Sequence, residues 1–148
     1  MFSFHLLNHP KSFSLDESRF ARIFDMIADS VDIPQQGILN IAFLSDDEIQ
    51  VLNREHRGID NTTDVLSFHY FDDFTDIADI DTAGEIILSE SRIVSQALEH
   101  WHSRGQECEI LVIHSILHIL GYDHEDDAEY EEMWAIEKFL RAGMGLSV

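Results

Sequence analysis

The stretch that decides the fold runs from residue 107 to residue 120 and reads ECEILVIHSILHIL. Its side chains are apolar nearly all round a helix, a pattern typical of a helix enclosed by the rest of the protein. Polar groups left unpaired inside such a helix cost roughly 1–3 kcal/mol each. His114 and His118 therefore need partners, and they are the first candidates for a functional site.

A third histidine, His124, follows this helix closely. Residues four apart on a helix share one face, with Cβ atoms about 5–6 Å apart, so His114 and His118 can bind one ion. Gly121 suits a left-handed helix end, and a reversal there would bring His124 back toward the pair. Three protein ligands leave a fourth position for water, which is typical of catalytic zinc sites. The spacing therefore predicts a Zn²⁺ site. The alternative is that these histidines are ordinary core residues that bind no metal.

The histidine spacing equals that of the metzincin metallopeptidases, H-E-x-x-H-x-x-G-x-x-H, except that Ser115 replaces the glutamate base. A structural zinc with Cys108 as its fourth ligand is a further alternative. Because Cys108 lies about 9 Å along the helix axis from His114, we interpret it as a core residue. Asp123 could orient a ligand, act as a base or only form the turn.

The other elements follow from apolar periodicity and turn residues. Capping-box pairs, Ser14 with Glu17 and Ser45 with Glu48, begin two helices. The last helix has an apolar face that includes Phe139, and five aspartates predict a solvated loop at 72–81. The predicted strands lie at 1–8, 38–44, 64–70 and 84–88. The predicted helices lie at 15–30, from Ser45 to near Gly58, from about 93 to Gly105, at 107–120 and at 126–141. The apolar face of the third helix includes Leu98 and Trp101.

These elements predict one α+β domain over residues 1–148, with about five helices packed on a small mixed sheet of about four strands. Hydrophobic residues make up 45% of the chain, which excludes global disorder. Nine Lys and Arg against 29 Asp and Glu give a net charge of −20, which excludes a generic basic nucleic-acid binder. A single cysteine, no secretory signal and no membrane-length apolar run lead us to expect a cytoplasmic protein.

Three segments together resemble the YbeY family of bacterial metal-dependent endoribonucleases, which are ribosomal RNA maturation factors. They are residues 52–68, which contain Arg57 and the run Thr63-Asp64-Val65-Leu66-Ser67-Phe68, then Gly84-Glu85-Ile86, and His114 to His124. The chain departs from the family pattern at His69, where proline is usual, and at Glu85, where aspartate is usual. Neither departure touches an expected metal ligand.

The resemblance implies a zinc-type site at His114, His118 and His124 and a functional arginine at Arg57. It also implies processing of ribosomal RNA, notably at the 3′ end of the small-subunit RNA, and a role in ribosome quality control. The candidate catalytic residues are thus Arg57, Asp123 and the metal ligand His118. The base stays open between Asp123, Asp64 and the metal hydroxide.

Metal-assisted hydrolysis of single-stranded RNA is the resulting main hypothesis, with Arg57 stabilising the phosphoryl charge. Without the resemblance, a surface ion pair would be the simpler role for Arg57. The charge of −20 predicts weak, salt-sensitive RNA binding, helped by a ribosomal protein or assembly partner. Two alternatives are a metallopeptidase-like hydrolase and a non-catalytic ribosome-assembly factor with a structural zinc. The remaining histidines, except His69 on its strand, are expected at the surface: His5, His9, His56, His100 and His102.

Overall fold

The computed structural model describes residues 1–147 and has an α+β fold, as predicted. The predicted domain also includes residue 148, which lies outside the described residues. Within residues 1–147 there are four strands and five helices. In chain order they are β1 (Ser3–Leu6), α1 (Glu17–Ser30), β2 (Ile38–Leu44), α2 (Asp46–Arg57), β3 (Val65–His69), β4 (Thr82–Ser89), α3 (Glu90–His100), α4 (Arg104–Ile119) and α5 (Asp127–Gly143).

The four strands form one mixed sheet in the order β1-β2-β4-β3. Strands β1, β2 and β4 are parallel, whereas β3 is antiparallel to β4 and occupies the edge of the sheet. Gly84 permits this last pairing, because a Cβ atom there would lie 2.3 Å from the carbonyl oxygen of Phe68 on β3. The glycine of the Gly84-Glu85-Ile86 segment therefore allows the edge strand to lie this close to its neighbour.

Helix α4 is the centre of the core, as its sequence predicts. It packs against β3 and β4, and it is buried on nearly every side. On the opposite face of the sheet, α2 covers a smaller apolar cluster that includes Ile49, Leu66 and Ile87. No helix within residues 1–147 is both long and apolar enough to cross a bilayer.

The acidic segment 72–81 forms no helix and only turns and bends before β4, as predicted. Two apolar residues anchor it to the protein: Phe74 is buried edge-to-face against Phe2, with ring centroids 5.2 Å apart, and Ile77 packs on the same core. The aspartates thus lie on a loop that Phe74 and Ile77 hold against the core.

The predicted boundary between α3 and α4 is wrong. Helix α3 ends at His100, and Trp101 caps it in the left-handed region at φ 59°. A capping box between Ser103 and Gln106 then starts α4, so that Gly105 lies in its first turn. Because Trp101 itself takes the left-handed conformation at the end of α3 and its N–H donates to Ala97 O, the helix stops without a glycine.

Three members of the predicted apolar faces and one predicted cap are also wrong. Leu98, Trp101 and Phe139 are 76%, 94% and 60% exposed, because the buried stripes of α3 and α5 run through other positions of the helical repeat. Helix α1 is capped by Asp16, whose side chain accepts from the Ser18 backbone N–H, and not by Ser14. The capping box of Ser45 and Glu48 at α2 is confirmed.

Asp46, in the first turn of α2, ties this helix to the end of β4. Its carboxylate accepts hydrogen bonds from Ser89 Oγ at 2.6 Å and Ser91 Oγ at 2.7 Å. These bonds, that from Ser89 first, hold the pKa of Asp46 below its usual range. The charged form of Asp46 therefore stabilises the junction of α2, β4 and α3.

We expect Asp46→Asn to lower the free energy of unfolding by about 1–2 kcal/mol at pH 7, since the hydrogen bonds lose their charged acceptor. Because the pKa of Asp46 is lower in the folded protein, its contribution is complete above the unfolded pKa of about 3.9 and disappears as the pH falls through the folded value. The difference between the two proteins should therefore shrink below pH 4. Urea unfolding at several pH values measures it.

Asp47→Asn is the matched control, because the neighbouring Asp47 is exposed and carries the same charge. It corrects for the general relief of repulsion in a protein of charge −20. Equal effects of the two substitutions at pH 7 would contradict the role given to Asp46.

Candidate metal centre and cleft

The three predicted ligand histidines lie together and form what we call the histidine cluster: His114, His118 and His124. The first two occupy one face of α4, and Gly121 at φ 101° turns the chain after the helix, as predicted. The ring of His118 is the middle one, with its centroid 4.5 Å from that of His114 and 5.2 Å from that of His124. The outer rings are 6.1 Å apart.

A buried carboxylate on α5 orients His114. The Nδ1–H of His114 donates to Glu137 Oε1, and Arg141 Nη2 lies 3.6 Å from the other oxygen of Glu137. With its proton on Nδ1, the ring keeps a lone pair on Nε2, the nitrogen that faces His118. Histidines that bind metals usually donate their other ring N–H to a carboxylate in this way, which leaves Nε2 free to bind the metal.

The nitrogen positions fit a divalent metal ion. His114 Nε2 and His118 Nε2 are 3.0 Å apart, close to the separation of about 3.3 Å for two ligands of a tetrahedral zinc-type ion. Burial, with smaller effects from His114 and His124, holds the pKa of His118 below its usual range. The imidazole of His118 is therefore neutral near pH 7, which is the form that binds metals.

His124 and Asp123 complete the group from the turn after α4. Asp123 Oδ1 accepts from the His124 backbone N–H at 2.7 Å and lies 3.6 Å from His124 Nδ1. One potential ligand atom from each of His118, Asp123 and His124 lies within 4.8 Å of the others. Asp123 therefore stands beside the cluster, where it can orient His124 or accept a proton.

The histidine cluster opens into a cleft of about 1070 Å³ between β3 and helices α3 and α4. The cleft brings together the candidate catalytic residues that lie far apart in sequence. Arg57 enters it from the end of α2, while Asp64, Ser67 and His69 enter it from β3 and the residue before it. All the predicted site residues thus face one cavity: Arg57, His114, His118, Asp123 and His124.

Arg57 is exposed, and the ion pairs within residues 1–147 do not include it. The simpler role of a surface ion pair therefore finds no support. A planar guanidinium that is free on a cleft wall can donate to two oxygens of a phosphate.

Two other residues of α4, Cys108 and Ser115, are not candidate metal ligands. Cys108 is fully buried in the main apolar core, and burial raises the pKa of its thiol far above the usual range. Cys108 is therefore a core residue, as predicted, and not a thiolate ligand. Ser115, where metzincins have their glutamate, is buried, and its Oγ makes no hydrogen bond within the described residues.

Sequence reasoning missed a second polar group, which we call the second cluster: His100, His102 and Glu107. One potential ligand atom from each lies within 4.8 Å of the others. The expectation that His102 is a surface residue is wrong, since its side chain is only 8% exposed. The missed signal was Glu107 itself, a charged residue seven positions before His114 and so on the same face of an apolar helix. Glu137 was missed in the same way, as a carboxylate in the buried stripe of α5.

Comparison with known proteins gives the same assignment as the motifs. A family model described as Endoribonuclease YbeY matches residues 6–145. The chain belongs to the YbeY family. An Endoribonuclease YbeY from Limosilactobacillus fermentum is 36% identical over 129 residues, which cover 81% of this chain and 82% of that protein. One from Alkaliphilus metalliredigens is 40% identical over 111 residues, which cover 73% and 71% of the two chains.

A Thermotoga maritima protein with a known solution structure has the same fold, with a TM-score of 0.64 and 28% identity. The match covers 97% of this chain and 89% of that one. Membership of the YbeY family confirms the resemblance read from the three sequence segments. Of the two departures from the family pattern, His69 lies on the cleft, and Glu85 accepts from the Tyr70 hydroxyl at 2.8 Å.

We expect Glu137→Gln to weaken binding of a divalent transition metal by about 10- to 100-fold, the usual effect of losing the partner of a ligand histidine. Glutamine keeps an acceptor for His114 Nδ1–H but replaces the charged acceptor with a neutral one. Competition with a chromophoric chelator measures the affinity of the metal-free protein.

Glu131→Gln is the matched control, since Glu131 lies on the same helix but is exposed. Thermal unfolding of the metal-free proteins shows whether Glu137→Gln keeps its fold. A folded Glu137→Gln protein that binds metal as tightly as the unmodified chain would refute the orienting role of Glu137.

Proposed function

We propose that the chain is one metal-dependent hydrolase domain that cleaves single-stranded RNA internally, with Zn²⁺ held by His114, His118 and His124. The observation that carries this proposal is the convergence of three imidazoles in the same cleft as Arg57, which has no ion-pair partner within residues 1–147. The proteins of the YbeY family that this chain resembles are named endoribonucleases, which supports RNA as the substrate.

When bound, zinc supplies a Lewis acid and a water of lowered pKa. The chain's own part is to hold the three imidazoles close together and to keep His118 neutral. Glu137 holds the proton of His114 at Nδ1, and the turn at Gly121 places His124 near His118. Three ligands from the protein leave room for solvent or substrate, as in catalytic zinc sites.

Arg57 binds the scissile phosphate and stabilises the charge that grows on its oxygens during hydrolysis. Asp123 and Asp64 are the carboxylates that can take a proton from the attacking water, and both line the cleft. Asp123 is the candidate nearer to the histidine cluster, because its carboxylate groups with His118 and His124. His118 acts as a ligand rather than as the base.

The charge of the protein restricts which RNA it can bind. At −20, the surface repels a duplex along its length, whereas an unpaired strand can enter the cleft and meet Arg57. We infer weak, salt-sensitive binding of free RNA and delivery by a ribosomal protein or assembly partner. The proposed setting is the cytoplasm, in 3′-end maturation of small-subunit ribosomal RNA and in ribosome quality control.

We expect His118→Ala to abolish cleavage of a labelled single-stranded RNA by the zinc-loaded protein. Arg57→Ala should lower the turnover rate about 10²- to 10³-fold, as removal of a donor to developing charge does elsewhere. Arg54→Ala is the matched control, since Arg54 lies on the same helix but pairs with Asp60 at 3.7 Å. Gel analysis of the RNA fragments measures all three.

Two outcomes would favour the alternatives. Cleavage of denatured casein without cleavage of RNA would indicate a metallopeptidase-like hydrolase. Neither activity, together with a large fall in melting temperature on chelation, would indicate an assembly factor with a structural zinc. The RNA hydrolase requires fragments from RNA, none from casein, and loss of cleavage on chelation.

A further inference from the structure

The second cluster is built around a buried carboxylate that has imidazoles as its only ion-pair partners within residues 1–147. Glu107 Oε1 lies 2.7 Å from His100 Nδ1 and 2.8 Å from His102 Nε2. A carboxylate that is 3% exposed needs a positive charge or several donors to offset its desolvation. A divalent cation between the three side chains would supply that positive charge.

The backbone holds the two histidines in place on either side of one unusual residue. Trp101 between them adopts a left-handed conformation that tryptophan rarely takes, although its own side chain is 94% exposed and packs little. The His102 N–H donates to Ala97 O at 3.2 Å and fixes the reversal. The result is that rings two positions apart in sequence lie with centroids 5.5 Å apart, facing Glu107.

Two histidine nitrogens and one carboxylate oxygen form a ligand set that catalytic zinc sites use, and His100, His102 and Glu107 all line the cleft. The site is accessible, because the side chain of His100 is 52% exposed. His102 can use only Nε2 here, since its Nδ1 is buried and makes no hydrogen bond within the described residues.

The position of Glu107 decides what an ion there could do. Glu107 precedes His114 by seven residues, which is about 10 Å along α4. Two ions that act on one phosphate lie about 3.5–4 Å apart, so the two clusters cannot share a scissile group. An ion at the second cluster would instead meet a neighbouring phosphate of the same strand.

Binding of an RNA strand in the cleft requires more positive charge than the side chains provide. Its wall carries five carboxylates but only two arginines, and Arg141 is already beside Glu137. An anionic strand is therefore repelled along most of the cleft. The five carboxylates are Asp64, Glu99, Glu107, Asp123 and Glu125.

We propose that His100, His102 and Glu107 bind a second divalent transition-metal ion, which serves as a subsite for an RNA phosphate next to the one that is cleaved. The metal site stands on its own geometry, whereas its role as a phosphate subsite rests on the proposed endoribonuclease function. The ion would lie between Glu107 Oε1 and the two imidazole nitrogens that face it, and it would offset the charge of that buried carboxylate.

Titration of the metal-free, full-length protein with Zn²⁺, followed by calorimetry, tests the site. The unmodified chain should bind two equivalents, and His100→Ala and His118→Ala should each bind one, from different clusters. His100→Ala is suitable because its side chain is half exposed, so the fold should survive, and Glu107→Gln should also lose one equivalent. His9→Ala, at an exposed histidine, is the control and should bind two. A single equivalent in the unmodified chain, or two in His100→Ala, would overturn the site.

Binding of a single-stranded oligonucleotide tests the subsite. With two equivalents of Zn²⁺, His100→Ala should bind the oligonucleotide about tenfold more weakly than the unmodified chain, the loss expected for one charge-assisted phosphate contact. Unchanged affinity would overturn the subsite. RNA cleavage at full rate with one equivalent, and no second equivalent bound, would refute the second site and leave the endoribonuclease standing. Two equivalents bound without any RNA cleavage would refute the proposed function and leave the metal site standing.

Discussion

Burial of polar side chains on α4 is the constraint on which the rest of the structure depends. This helix crosses the core with apolar residues on nearly every side, yet one face carries Glu107, His114 and His118. Each of these groups must find a partner or raise the free energy of the folded state. The structure satisfies them through elements that arrive from elsewhere in the chain, and those elements surround a cleft.

Each partner of α4 has both a packing role and a polar role. Helix α5 contributes Met133 and Leu140 to the core and, from the same buried stripe, Glu137 to His114. The reversal at Trp101 joins α3 to α4 and directs His100 and His102 toward Glu107. The edge strand β3 packs on α4 and forms the opposite wall of the cleft. The geometry of the cleft is therefore a consequence of how the core is closed.

The parts that could be predicted from the sequence are those governed by local periodicity. The four-residue spacing of His114 and His118 and the glycine at 121 were sufficient to predict a shared face and a turn, and the mixed sheet followed from the order of strands and helices. The parts that could not be predicted depend on contacts distant in sequence. Glu137 is 23 residues from His114 and on another helix, and no local pattern pairs the two. Gly105 was a misleading stop signal because α3 already ends at the left-handed Trp101, and Gly105 lies in the first turn of α4.

An anomalous-difference map at the zinc edge, from crystals of the zinc-loaded protein, tests the central claim most directly. The account predicts a peak within about 2.0–2.1 Å of one ring nitrogen from each of His114, His118 and His124, with no fourth protein ligand. A peak bound by only one of these rings, or by a set completed with a further side chain, would contradict a catalytic metal centre on α4.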